Sequence, residues 1–163
     1  MAVSERSAND EYLQSSVLDR LVDYEPRVKR ETEVNRRFSR ADIRQAVIRD
    51  LENLFNTRQK IDVPQEGFPE VISSVYGYGL RDFSSENPKS PYVRRRLRQE
   101  IEETISRFEP RLKNVTVRLD APDDAYRTFS FRITGILEVE PISEPVVFDT
   151  YFDVNRGEYV IDN

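Results

Sequence analysis

The side chains of this chain that can do chemistry are carboxylates, lysines, arginines, tyrosines and serines, because neither His nor Cys occurs among its 163 residues. That excludes Ser-His-Asp and Cys-His catalysis, imidazole proton shuttles, structural zinc, iron–sulfur clusters and disulfides. The obvious acid candidate is Glu109 of Glu109-Pro110-Arg111, where a carboxylate and a guanidinium flank a proline. As a glycoside hydrolase, the chain would use Glu109 as general acid, with a second carboxylate about 5–9.5 Å away. A guanidinium two residues off favours the charged carboxylate, the opposite of what a general acid needs. The other reading is a docking corner, in which Arg111 either reaches acceptors on a partner or pairs with Glu109. Asp123-Asp124 follows Pro122 and reads as a turn rather than a catalytic pair. Gly77-Tyr78-Gly79 has neither the G-x-G-x-x-G spacing nor the Lys-Ser/Thr of a phosphate cradle. No cofactor and no metal is expected.

The corner needs two rigid elements to hold it, and both are written into the residues around it. Pro91 can open a helix, since the amide it lacks would have no partner in the first turn. From there Val93, Leu97, Ile101, Ile105 and Phe108 recur along one helical face. Pro110 pushes Glu109 out of helical geometry and offers no donor, so the helix must stop. Val115, Val117 and Leu119 then alternate with polar residues, which marks a half-buried strand. Glu109 and Arg111 therefore flank a fixed helix-to-strand corner.

Upstream, residues 1–14 are polar and without periodicity, a flexible amino-terminal arm ahead of a single domain over residues 15–163. Ser16 precedes a short amphipathic stretch, Val17, Leu18, Leu21 and Val22, which Pro26 ends; residues 27–37 read as a solvated linker. Ser39 with Asp42 makes a capping box for a second helix, whose seam is Ile43, Val47, Leu51, Leu54 and Phe55. Pro69 opens a short helical turn with Val71, Ile72 and Val75 inward. Gly77 and Gly79 around Tyr78 predict a positive φ or a close approach. Four arginines, Arg94, Arg95, Arg96 and Arg98, crowd the start of the Pro91 helix, where the dipole disfavours cations. Pairs of Arg96 with Glu100 and Arg98 with Glu102 relieve this in part, and an acidic partner surface would explain the rest.

Downstream, Phe129, Phe131 and Ile133 line one face of a second strand, and Gly135 marks a bulge or close contact within it. Pro141 to Pro145 turns the chain, Val146 to Val154 forms the third strand, Arg156-Gly157 the hairpin and Glu158 to Ile161 the fourth. Short turns between consecutive strands give a meander. The expected fold is α+β: three helices packed on one face of a four-stranded antiparallel meander sheet.

Lys+Arg 25 against Asp+Glu 30 gives a net charge of −5, which argues against a nucleic-acid partner. No apolar run reaches the roughly 18 residues of a membrane helix, and the first residues lack the apolar core of a signal peptide. A cytoplasmic protein without membrane insertion is expected. A mean hydropathy of −0.68 is low for a compact monomer and suggests segments that order on partners.

Five stretches, in order along the chain, resemble a known family. They are Val17-Leu18-Asp19-Arg20-Leu21, the run from Val47 to Arg58, the run from Ser74 to Leu80, Phe108-Glu109-Pro110-Arg111-Leu112 and Phe148-Asp149-Thr150. Together they are similar to TssE, the baseplate component of type VI secretion systems, and to its relatives in the baseplate wedges of contractile phage tails. Some relatives have been labelled lysozyme-like. The resemblance implies a non-enzymatic structural subunit incorporated with TssF- and TssG-type subunits into a wedge at the inner face of the cell envelope. There it supports the first ring of contractile sheath subunits. It also implies that Glu109, Pro110 and Arg111 dock on the helical core of the wedge. Glu25-Pro26-Arg27 repeats the tripeptide without the strand behind it and is read as chance. A free-standing peptide-binding domain is the remaining alternative. Because an exposed edge strand can accept another chain's strand, the fourth strand (Glu158, Tyr159, Val160, Ile161) is the expected sheath-facing edge. No following segment is expected to cover it.

Overall fold

The computed structural model describes residues 39–60, 67–83, 89–120, 130–153 and 157–162, together with Val17, Leu21, Arg27 and Asn87. The expected arm over residues 1–14 and the Asp123-Asp124 turn lie outside the described residues. Val17 and Leu21 are helical as expected, and both are exposed.

Helix α1 spans Arg40–Asn56. Ser39 Oγ accepts from the Asp42 amide at 3.2 Å, and the Asp42 carboxylate accepts from the Ser39 amide at 2.8 Å, completing the capping box. Its expected seam is buried, and Ala46 and Ile48 widen it. The short helix α2, Pro69–Ile72, is followed by a separate 3-10 turn, Val75–Gly77. Ser74 caps that turn by accepting from the Tyr76 amide, which breaks the helical period after Ile72. Val75 therefore points outward, 91% exposed, and not inward as its spacing suggested. The two glycines behave as predicted, each in its own way. Gly79 has φ +104, and a Cβ on Gly77 would sit 2.1 Å from the Ile72 carbonyl oxygen.

Helix α3 spans Pro91–Phe108, with Glu109 as its C-cap. Val93, Leu97, Ile101 and Ile105 are buried along it. The arginines at its start do not form the expected i,i+4 pairs with the two glutamates. Glu100, 8% exposed, faces the chain before the helix and receives the Arg81 Nε at 2.9 Å and the Arg81 amide at 3.2 Å. Glu102 turns to the sheet instead. Arg94 donates to the carbonyls of Leu119 and Asp120, and the Arg96 guanidinium lies 5.3 Å from the Phe83 ring centroid. Arg95 and Arg98 are exposed.

Strands β1 (Leu112–Leu119), β2 (Phe131–Val139), β3 (Ile142–Asp153) and β4 (Glu158–Asp162) form one antiparallel sheet in chain order, the expected meander. The register of β1 on β2 shifts between Lys113 and Thr116, where Asn114 has φ 53. Gly135 lies opposite this irregularity, where a Cβ would come 3.1 Å from the Lys113 carbonyl. β3 begins at Ile142, earlier than expected, and takes in Pro145. β3 pairs with β4 only from Asp149 onward, so among the described residues it has a paired strand on one side only at Pro145, the setting in which a strand tolerates proline. α3 packs along β1 and α1 along β4, so the two long helices lie over the two outer strands. Phe131 and Phe148 fill the layer between them. Full burial of such side chains contributes roughly 1.5–3 kcal/mol each. The arrangement is α+β, with the helices on one face of a four-stranded antiparallel sheet.

Candidate functional site: a docking corner and a sheet edge

The corner is built by the end of α3. The Glu109 amide donates to the Ile105 carbonyl at 2.8 Å and closes the helix, while the Glu109 carbonyl accepts from the Leu112 amide at 3.1 Å. This turns the Glu109 side chain inward, where 4% of it remains exposed. Arg111 follows it: Nε donates to Glu109 Oε1 at 2.6 Å, the Arg111 amide to the same oxygen at 3.2 Å, and a terminal nitrogen to Glu109 Oε2. The Arg111 carbonyl accepts from the Glu138 amide, tying the corner to β2.

Arg111 also reaches across to α1, where the nitrogen that meets Glu109 donates to Asp50 Oδ2 at 2.6 Å. The other Asp50 oxygen accepts from Arg49 at 3.1 Å. The result is a row of alternating charge, Arg49, Asp50, Arg111, Glu109, that joins α1 to the corner. Burial alone would lower the Arg111 pKa, but its hydrogen bonds and charge contacts with Glu109, then Asp50, outweigh this and raise it above its ordinary value. Arg111 is a permanent cation between two carboxylates. Burial, then the charges of Asp50 and Glu109, raise the Tyr78 pKa.

Asp50, Asn53, Leu54, Tyr78, Phe108, Glu109, Pro110 and Arg111 line an open pocket of about 490 Å³. Tyr78 meets Phe108 edge to face, centroids 5.2 Å apart. Of the three residues expected from sequence, Glu109 is the buried anchor, Arg111 the bridge and Pro110 an exposed rim. Sequence reasoning missed Asp50, Asn53 and Tyr78 as parts of this site. Asp50 lies next to the Leu51–Leu54 seam, which was the one available signal that it sits near the packed face of α1. As chemistry, the row offers salt-bridged recognition. Both Glu109 oxygens accept from Arg111, so neither is presented to a substrate as a free acid. Among the described residues no group of three or more Asp or Glu could hold a metal ion.

The fourth strand departs from expectation in one respect: its outer edge is covered. Asn56 donates to the Tyr159 carbonyl at 2.9 Å and accepts from the Tyr159 amide at 2.7 Å, and Glu52 accepts from the Ile161 amide at 3.0 Å. The covering segment precedes the strand in sequence. Since the backbone groups of Tyr159 and Ile161 point to the outer edge, those of Val160 point to β3. At the opposite edge, Glu102 accepts from the Val117 amide at 2.8 Å, and Arg94 donates to the Leu119 carbonyl.

Residues 41–142 match the family model described as baseplate wedge protein gp25, which is more than half of the chain. The chain belongs to this family of baseplate wedge proteins. Among solved structures it is similar to a chain of "The baseplate complex from the type VI secretion system", at 15% identity and a TM-score of 0.45, over 70% of this chain and 97% of that one. No curated protein matches it. Among the described residues no helix is long and apolar enough to cross a membrane.

Proposed function

We propose that the chain is a structural subunit of a type VI secretion baseplate wedge. It docks through the Glu109-Pro110-Arg111 corner and Asp50 on TssF- and TssG-type subunits, and it supports the first ring of the contractile sheath. Its place is cytoplasmic, at the inner face of the envelope. The observation that carries this reading is the charged row beside an open pocket: a buried glutamate fixes an arginine whose outer side and neighbours remain accessible, on a chain of the baseplate wedge family. The structural role of that family and the engagement of both Glu109 oxygens favour assembly over hydrolysis.

The docking test must spare the fold. Asn53 is an exposed member of the pocket rim outside the charged row. Asn53→Arg should leave the melting temperature of the isolated chain unchanged and abolish co-purification with co-expressed wedge subunits. Intact co-purification would remove this face from the interface.

For the sheath, the proposed meeting point is the β4 edge at Glu158, Tyr159, Val160 and Ile161. Glu158 and Asp162 are exposed on the sheet face away from the helices. A Glu158→Lys/Asp162→Lys variant should join the wedge and fail to nucleate sheath, read as sheath assembly in cells by fluorescence. Normal sheath formation would move the contact away from β4.

A further inference from the structure

The β4 edge carries a removable cover. Asn56 and Glu52 stand four residues apart on α1, one turn above the other, and between them occupy three backbone groups that an added strand would use. Asn56 imitates a strand with particular economy, since its amide group gives one donor and one acceptor to the same residue, as a paired residue in an antiparallel ladder does. Yet it is a side chain on the exposed end of a helix and not part of a strand. We infer that Asn56 and Glu52 form a displaceable cap that keeps β4 closed in the free chain and is replaced on assembly by an antiparallel strand of a partner protein, basic on its solvent-facing side. This rests on the reading that β4 receives a partner strand.

The basic character follows from the side chains beside the edge. Glu158 and Asp162 project from β4 on the open face of the sheet, with Val160 between them, while Tyr159 and Ile161 face the helices. An incoming strand that places a cation opposite Glu158 gains cross-strand pairing, and one that places a carboxylate there is repelled. The chain itself shows what such a strand looks like. In β1, Arg118 and Thr116 are exposed, with Val117 and Leu119 on the helix side. Set antiparallel with Val117 opposite Tyr159, that segment would place Arg118 opposite Glu158, Thr116 opposite Val160 and the neutral Asn114 opposite Asp162. In the folded chain β1 cannot serve, because its own outer edge is occupied by Glu102 and Arg94.

The test uses the full chain, an Asn56→Ala/Glu52→Ala variant, and a synthetic peptide of residues 112–119 as the probe. Amide hydrogen exchange should accelerate at Tyr159 and Ile161 in the variant by about tenfold or more, while Val160, paired with β3, keeps its protection. The labelled peptide should bind the variant about tenfold more tightly than the parent chain, and a peptide with Arg118→Glu should lose this binding. If the double variant does not fold, Asn56→Asp, which keeps the acceptor for the Tyr159 amide and loses the donor to its carbonyl, carries the same comparison. Glu52→Gln should match the parent. Equal binding by parent and variant, or equal binding of the charge-reversed peptide, overturns the inference. So does self-association of the variant without peptide in sedimentation, which would assign the edge to a second copy. If the cap behaves as stated but Glu158→Lys/Asp162→Lys chains still nucleate sheath, the sheath assignment falls and the cap stands.

Discussion

Arg111 makes two kinds of contact at once, and its substitution separates them. Removing it leaves Glu109, 3% exposed, without its cation, and leaves Asp50 with Arg49 alone. Orphaning a buried charge costs several kcal/mol, but Arg111 and Asp50 side chains keep 22% and 29% exposure, so solvent recovers part of the loss. Arg111→Ala should destabilise the isolated chain by about 2–3 kcal/mol in urea unfolding. Arg111→Lys should recover only part of this, because an ammonium cannot reproduce the two-pronged contact with Glu109. Loss of docking in Arg111→Ala is therefore ambiguous, whereas loss in Asn53→Arg at unchanged stability is not. An unchanged unfolding midpoint for Arg111→Ala would show that the row belongs to the interface and not to the fold.

Each long helix supports one outer strand, through side chains as well as through the core. α1 places Asp50 on the corner and Glu52 and Asn56 on β4; α3 ends in the corner and places Glu102 and Arg94 on β1. The direction in which a strand residue points its amide decides what proline does there. Val160 faces β3, so Val160→Pro removes a ladder hydrogen bond and places the ring against a paired strand. We expect this variant to lose cooperative unfolding or to melt far below the parent by circular dichroism. A folded, parent-like Val160→Pro chain would show that β4 contributes little to the core.

At the scale of the whole molecule, alkaline pH should unfold the chain through two tyrosines. Burial raises the Tyr159 pKa, and burial with the charges of Asp50 and Glu109 raises that of Tyr78, both from 10.0. The folded chain therefore keeps protons that the unfolded chain releases at about pH 10. Their contribution is intact below that pH and is lost as pH rises through the higher folded values. Urea midpoints should fall on going from neutral pH to about pH 11, and a Tyr78→Phe/Tyr159→Phe chain should fall less steeply. Equal slopes would assign alkaline unfolding to other groups.

The residues alone determined the elements and their order, because helix caps, apolar spacing and prolines act within a few positions of one another. Ser39 with Asp42 set the start of α1, Pro91 and Pro110 bounded α3, and the alternation of apolar and polar residues marked the strands in order. They also placed Glu109 and Arg111 at a rigid corner. Only the tertiary structure decided where the charges went. Asp50 lies 61 residues from Arg111 and meets it only when α1 crosses the corner. Asn56 lies 103 residues from Tyr159, so an edge that looked open from its place in the sequence is closed by a helix that precedes it. Glu100 and Glu102 likewise left their local arginines for Arg81 and Val117. A surface pair along one helix contributes only about 0.2–0.5 kcal/mol, too little to hold a carboxylate against a half-buried cation or an unpaired backbone amide.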